Sequence, residues 1–387
     1  MARWMVSAGL AFWTAVQAAP GAAKPVVLGV AWEYPHAGIA LAAPVGFQPR
    51  SLSAPYDVMH AVAVEDGRPV QAVTLSAFPA AEKVTADEFA ELKMAELSRN
   101  LAIRNLKPLK KTTMPIAGTT GSARLMSYTF RGAKALAAQV YVLREVQGAK
   151  LRICYLLTVV CSATRQARLL PTLGAVVRSV RLLSVRHPVL SDEVKLGEPV
   201  EDYSLGYSLR RPVGWYAAKS PAGLEMGQVD YLLGGVPLPS AQLLCGRVPG
   251  DTATSEVCAK TYISEAKREA LHRKQTCTVV SEGPATLGGL NAYQFVILQG
   301  PDRAGVAPRS KKDAQNEAVV MVQRTACLPA GPAGKPRVFA LVLTGRGKDI
   351  KPAEALMKTL AASFRHVQPT TQPTTQPSTR PTTKPAG

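Results

Sequence analysis

The chain lacks most of the short signatures that announce chemistry. None of its six cysteines stands in a Cys-x-x-Cys pair, so a redox-active dithiol or a zinc ribbon is not expected. The five histidines, His36, His60, His187, His272 and His366, are scattered, and none lies three or four residues from another. No His-Glu-x-x-His occurs, which removes a zincin site. Gly-x-Ser-x-Gly is missing, and with it the usual nucleophile elbow. The runs from Gly331 to Lys335 and from Gly345 to Lys348 miss the spacing and hydroxyl of a phosphate loop and read as turns, and there is no EF-hand pattern. The sequence therefore nominates no catalytic, cofactor-binding or metal-ligating residue.

Other shortages bear on compartment. No cysteine precedes Cys154, which excludes a lipid-anchored start of the bacterial lipoprotein kind. No later stretch is long and apolar enough to span a bilayer, which takes roughly 20 residues. The N-terminus reads instead as a signal peptide: Arg3 is the positive region, Trp4 to Val16 is uncharged and apolar, and Val16-Gln17-Ala18 suits cleavage after Ala18, with Ala23 as a second option. The expectation is a secreted protein, periplasmic or extracellular. Disulfides are then expected, and the four cysteines of the second half, Cys245, Cys258, Cys277 and Cys327, allow three connectivities. Cys154 and Cys161 are an odd number apart, so on one regular strand they face opposite ways and cannot bridge.

Charged residues are only 19% of the chain but are strongly one-sided, with 46 Lys and Arg against 27 Asp and Glu, a net +19. Such a field draws anionic partners without specifying one. The basic residues are spread out, in short clusters such as Lys107/Lys110/Lys111, Lys267/Arg268/Arg273/Lys274 and Arg309/Lys311/Lys312. Expected partners are a cell-envelope protein or an anionic surface, with no specific nucleic acid.

What is present is a repeat. Ile39 to Phe47 matches Tyr207 to Trp215, each ending Pro-Val-Gly-aromatic, and Thr85 to Phe89 matches Thr254 to Cys258. Ser179-Val-Arg181 pairs with Ser363-Phe-Arg365, and extra residues fall around Asp302 to Asn316. A nearly constant offset over several anchors indicates duplication. Each copy predicts a strand into the Pro-Val-Gly turn, then alternating stretches at Val58 to Val64 and Val70 to Phe78, or Ala241 to Val248. A Thr-capped helix follows, whose stripe Ala90, Met94, Leu97 and Leu101 reads as core packing. Three strands come next: Ser122 to Arg131, Ala138 to Val146 and Leu151 to Val160, or Asn291 to Gln299, Ala318 to Ala326 and Val338 to Thr344. Each copy closes with a helix, near Leu173 to Leu183 and Pro352 to Phe364. Short separations between strands suit antiparallel hairpins.

The boundaries expected are a signal peptide at 1–18, a first domain at 24–187, a linker at 188–200, a second domain at 201–367 and a tail at 368–387. Proline in every tetrad of the tail forbids a packed element and predicts an extended stalk of ~60 Å at ~3.1 Å per residue.

This order resembles the PsbP-like superfamily, which includes Mog-type proteins. The carrying residues are Pro44-Val-Gly-Phe47 and Pro212-Val-Gly-Trp215, the Thr-capped helix, Gly288-Gly289-Leu-Asn-Ala-Tyr293, and the closing helix into Ser363-Phe-Arg365. The first copy lacks the Trp at position 47 and a clear Gly-Gly pair. The resemblance implies two tandem α/β/α sandwiches (class α+β) with central antiparallel sheets, working as binding or assembly modules without shared catalytic residues. It carries no site residue across.

Three functions follow. The first is a non-catalytic binding or assembly module of the cell envelope, with no cofactor, the second a secreted hydrolase with dispersed site residues, and the third a basic binder of polyanions or membrane surfaces. Cys258, at a helix start, reads as a disulfide or buried residue before a nucleophile. Trp215 and Phe47 read as core beneath their turns, and Asp87/Glu88 and Glu201/Asp202 as dipole complements or solvated charges.

Overall fold

The computed structural model describes residues 25–147, 151–191, 193–247, 254–301, 318–328 and 336–367. The expected signal peptide, the tail at 368–387 and the Arg309/Lys311/Lys312 cluster lie outside the described residues. The first half runs β1 (Leu28–Tyr34), β2 (Ile39–Pro44), β3 (Phe47–Pro49), β4 (Asp57–Glu65), β5 (Arg68–Ala80), α1 (Ala86–Arg99), β6 (Ile103–Ile116), β7 (Thr119–Phe130), β8 (Ala133–Glu145), β9 (Arg152–Ser162), α2 (Gln166–Ser179) and β10 (Arg181–Leu182). The second half repeats it. Its elements are β11 (Leu196–Asp202), β12 (Tyr207–Pro212), β13 (Tyr216–Ser220), β14 (Gly223–Asp230), β15 (Val236–Arg247), α3 (Ser255–His272), β16 (Gln275–Leu287), β17 (Leu290–Pro301), β18 (Val319–Leu328), β19 (Arg337–Arg346), α4 (Ile350–Ser363) and β20 (Arg365–His366).

Each half builds a seven-stranded antiparallel sheet, in the order β3-β4-β5-β9-β8-β7-β6 and then β13-β14-β15-β19-β18-β17-β16. The two orders superimpose strand for strand. A three-stranded sheet accompanies each, β1-β2-β10 and β11-β12-β20. Registers repeat as well: Leu28↔Pro44 and Ala31↔Ala42 flank a bulge in the first copy, Leu196↔Pro212 and Pro199↔Arg210 in the second. Even a side-chain hook is kept. The Ala42 N–H donates to Ser179 Oγ at 3.0 Å, and the Arg210 N–H to Ser363 Oγ at 3.3 Å. The chain is two tandem α/β/α sandwich domains.

Alternation along the strands explains the layering. Val140, Tyr155, Leu157 and Cys161 point into a core shared with α2 and the small sheet, while Tyr141, Cys154 and Leu156 point the other way, under Phe89 and Ala90 of α1. Cys154 and Cys161 thus occupy opposite faces, as their odd spacing requires. In the second domain α4 and β12 cover one face with Leu356, Leu360, Phe364, Tyr207 and Leu209. The other face receives Ala259 and Ile263 of α3, with the half-buried Tyr262 and Ala266, against Phe295 and Ile297.

Local chemistry sets the helix ends. Thr85 caps α1 in a full capping box with Glu88, and Thr254 caps α3 through the Val257 N–H. Asp87 does more than complement a dipole, since it meets the buried Arg124 at 2.5 Å and Lys111 at 2.5 Å. Hydrogen bonds from Lys111 and then Arg124 hold its carboxyl well below the usual carboxylate range.

Three expectations are corrected, and two strands are added. The stretch at 188–200 is not simply a linker, because β11 begins at Leu196 and Leu190 sits in the second core. The α1 stripe stops short: the helix ends at Arg99, and Leu101, in the turn beyond, is 94% exposed. The first closing helix starts at Gln166 with Pro171 inside it and ends at Ser179, leaving Arg181–Leu182 as a strand on β2. The edge strands β6 and β16, which the sequence pattern does not predict, alternate only in part, at Met114 and Ile116 and at Cys277, Val279, Ala285 and Leu287. They are otherwise exposed because each pairs on one side only, so polar residues such as Arg104, Lys107 and Lys111 suit them.

The domains are joined by insertion. Val229 and Tyr231, at the end of β14, belong to the first domain's core, and the Tyr231 hydroxyl donates to the Ala77 carbonyl. Between them Asp230 is fully buried. Its carboxylate receives Arg346 Nη2 at 3.0 Å, His187 Nδ1 at 2.8 Å and the Leu232 N–H at 3.0 Å. The Ala217 N–H donates to Leu52 O at 3.0 Å, and Arg211 reaches Leu52 O and Ser51 Oγ. His36 lies beside this joint. Burial first, opposed by Asp230, takes its imidazole down to about 4.

Three measurements test this account. Gly288 has φ +59° and a Cβ there would lie 2.3 Å from Phe364 O, so Gly288→Ala is expected to cost about 2 kcal/mol in denaturant unfolding. Asp230→Ala strips the carboxylate from Arg346, which is 12% exposed, and is expected to lose about 3 kcal/mol, against under about 1 kcal/mol for the exposed Lys260→Ala. His36 stays neutral in the fold while the unfolded chain protonates near 6.5. Unfolding therefore takes up a proton between pH 6.5 and about 4. Stability should be complete above that window and decline by about 3 kcal/mol from this group as pH falls through it. His36→Gln should remove the largest part of the decline and leave the smaller part due to His60 and His366, which burial lowers in the same direction.

Candidate functional site

The described surface offers one roomy groove, about 740 Å³, between α4 and the small sheet of the second domain. Its walls come from β11 (Leu196, Pro199), β12 (Ser208, Arg210), α4 (Lys358, Thr359) and the chain after it (Arg365). The helix closes on Ser363, whose hydroxyl donates to Leu360 O at 2.8 Å and accepts from the Arg210 N–H, so helix end and strand are stitched together. This bond fixes the spacing at which Arg210 and Lys358 face the same space.

The groove is cationic. Arg210, Lys358 and Arg365 are exposed, and among the described residues none of the three forms an ion pair with a carboxylate. Arg365 Nη1 is tied to the helix-terminal carbonyls of Ala362 and Phe364 at 2.9 Å, which uses part of its donor fork and leaves its charge. Ser208 donates to Glu201 Oε1 at 3.5 Å, and the Tyr203 hydroxyl occupies Glu201 Oε2 at 2.6 Å. Thr359 donates back to Ala355 O. The free chemistry of the site is therefore positive charge on long side chains over a partly apolar floor, suited to a carboxylate, phosphate or sulfate group.

The first domain shows how particular this is. At the matching register Arg210 corresponds to Ala42 and Lys358 to Gly174, while Arg365 corresponds to Arg181. Arg181 is neutralised by Glu33 at 3.3 Å. Where the groove has Ala362 the first copy has the exposed Arg178, whose guanidinium lies beside Gly174, so the two copies differ in the number and placement of their cations. Nothing in the sequence marked these residues, because they are single charges on three separate elements and only the helix-to-strand packing collects them.

The remaining polar clusters read differently. His187 and Asp230 form a pair of the kind that orients a general base, but Arg346 shares the same carboxylate and the pair lies in the joint. Trp215 is 5% exposed in the second core and Phe47 packs against the first. Among the described residues no group of three or more His, Cys, Asp or Glu is placed to hold a metal ion. No helix among them is long and apolar enough to cross a membrane. The Lys107/Lys110/Lys111 cluster runs along the β6 edge, and Lys267, Arg268, Arg273 and Lys274 sit at the end of α3, where Arg273 pairs with Glu269.

No family model matches the chain, and no curated relative does. Among solved structures, the cyanobacterial PsbP (CyanoP) of Synechocystis sp. PCC 6803 is 12% identical, over 45% of this chain and 94% of its own, with a TM-score of 0.31. LpqN of Mycobacterium tuberculosis, described as involved in cell envelope biogenesis, is 13% identical over 38% and 83%, with a TM-score of 0.32. The immunity protein TplEi of Pseudomonas aeruginosa is 12% identical over 84% and 98%, with a TM-score of 0.24. At such scores the fold rests on the strand order and register of the chain itself.

Proposed function

We propose that the protein is an exported, non-catalytic binding module of the cell envelope, PsbP-like in both domains, whose second domain holds an anionic group in the groove beneath α4. The observation that carries this reading is the convergence of Arg210, Lys358 and Arg365 on one open space without a carboxylate partner among the described residues. Uncompensated cations at a concave surface raise the local concentration of anions. The first domain, with Ala42 and Gly174 at the matching positions, acts as the platform that presents it. A hydrolase reading has the His187–Asp230 pair in its favour, but the sharing of that carboxylate with Arg346 supports a structural role.

The test is binding of the full chain to vesicles of phosphatidylglycerol with phosphatidylcholine, against phosphatidylcholine alone. Binding should require the anionic lipid and weaken as salt rises. Arg210→Ala/Lys358→Ala removes two cations and is expected to weaken it roughly 30-fold, at about 1 kcal/mol per charge, with thermal stability unchanged. Lys267→Ala/Arg268→Ala on the exposed face of α3 is the control. Equal losses in the two variants would show that overall charge, and not the groove, attracts the surface.

A further inference from the structure

We propose that Cys258 and Cys327 are a disulfide-forming pair that clamps the first turn of α3 onto β18. Their Sγ atoms stand 3.3 Å apart, about 1.2 Å beyond a covalent S–S bond. The turn that presents Cys258 is already fixed on the sheet. Thr254 caps it, Ser255 Oγ donates to Asn291 O at 3.1 Å on β17, and the Cys327 N–H donates to that same Ser255 Oγ at 3.0 Å. A short approach of two side chains closes the bond without moving either element.

The pairing is selective. Of the other cysteines in this domain, Cys245 packs into the core beneath α4 and Cys277 against the opposite face beneath α3. Their strands, β15 and β16, are four places apart in the sheet, roughly 19 Å at the usual strand spacing. That excludes a Cys245–Cys277 bridge and reduces the three connectivities to one bridge with two remaining thiols.

Comparison of the copies gives the clamp a purpose. Cys258 corresponds to Phe89 of α1, which is 6% exposed. Counting from the matching turns at 117–118 and 288–289, through the pairings Ser122↔Tyr141 and Tyr293↔Thr325, Cys327 corresponds to Leu143. Phe89 and Leu143 belong to the apolar cluster that holds α1 down. In the second domain two thiols replace that contact, and α3, an 18-residue helix, buries only Ala259, Ile263 and Ala270. A covalent link substitutes for the missing apolar anchor.

The chemistry is two successive thiol–disulfide exchanges with a disulfide oxidant, either a small-molecule disulfide or an oxidoreductase. The Cys258 thiolate, at the positive end of α3, attacks one sulfur of the oxidant, forms a mixed disulfide and expels the first thiolate. Cys327, deprotonated to solvent, then attacks Cys258 Sγ, closes the protein disulfide and expels the second. Two electrons pass to the oxidant, which leaves as two thiols, and the two cysteine protons end in solvent or on those thiols. Burial first, and then the neighbouring Cys258 sulfur, push the Cys327 thiol up to about 12, so Cys327 is not the first attacker, and its own attack is favoured by its closeness to Cys258 Sγ.

The test is peptide mapping of the full chain after incubation with oxidised glutathione, with alkylation in denaturant and digestion without reductant. One linked peptide containing Cys258 and Cys327 is expected, with Cys154, Cys161, Cys245 and Cys277 alkylated. Six alkylated cysteines, or Cys258 joined to Cys245 or Cys277, would overturn the proposal. In parallel, reductant should lower the melting temperature of the oxidised chain by roughly 5 °C and leave Cys258→Ser/Cys327→Ser unmoved. The same response in both would remove the clamp's role in holding α3. Neither readout involves the anion groove.

Discussion

A seven-stranded sheet made of alternating residues has two apolar faces, and covering both is the constraint from which the architecture follows. The chain meets it unevenly. On one face of each sheet, the closing helix and a three-stranded sheet bring in Leu173, Val176, Ile39 and Leu41, or Leu356, Leu360, Tyr207 and Leu209. On the other face a single helix contributes Phe89 and Ala90, or Ala259 and Ile263. The well-covered face tolerates a groove at its rim, because Ser363 and the small sheet hold α4 independently of the groove's own side chains. The thinly covered face is where extra fastening is needed, and the two copies fasten it differently.

Duplication lets the copies diverge under one fold. The first domain keeps an apolar clamp at Phe89 and strengthens the start of α1 with Asp87, Arg124 and Lys111. Its counterpart to the cationic groove has Ala42 and Gly174, the Arg181–Glu33 pair and one exposed cation, Arg178. The second domain carries Arg210 and Lys358 there instead. Ala117 and Gly288 show the same drift at a turn. Both have positive φ, 49° and 59°, but Phe364 O crowds the site only in the second copy, so only there does the position exclude a side chain.

Much of this scaffold was legible in the residues. The Pro-Val-Gly turns, the Thr caps, the three consecutive strands and the closing Ser-x-Arg matched between halves because each is fixed by a local rule: a turn needing glycine, a cap needing a hydroxyl, a strand needing alternation. What stayed hidden depends on partners far away in sequence. The edges β6 and β16 alternate only over short stretches, since each borders solvent along one side. Leu101 fits the helical stripe by spacing, yet the helix ends before reaching it. The groove residues belong to β12, α4 and β20, and a single arginine on a strand looks like any solvated charge until packing places Lys358 opposite. Cys258 and Cys327 could be named as candidates but not matched, because strand register, not spacing, brings them together.

The joint between the domains gives the groove a fixed frame. A hinge requires a segment that can change backbone angles without exposing core, and here the connecting residues cannot do so cheaply. Separating the domains would pull Tyr231 out of the first core and carry Asp230 away from the surroundings that desolvate it. His187, at the end of the first half, would then lose that carboxylate, while Arg346 shares the second domain with Asp230 and stays paired with it. Apolar burial and a buried charge resist the same motion, the first through lost hydrophobic contact and the second through broken pairing. A binding surface on one domain of such a pair gains no reach from its neighbour. It gains orientation, since the first copy, docked through this joint, sets the direction in which α4 and its cations face.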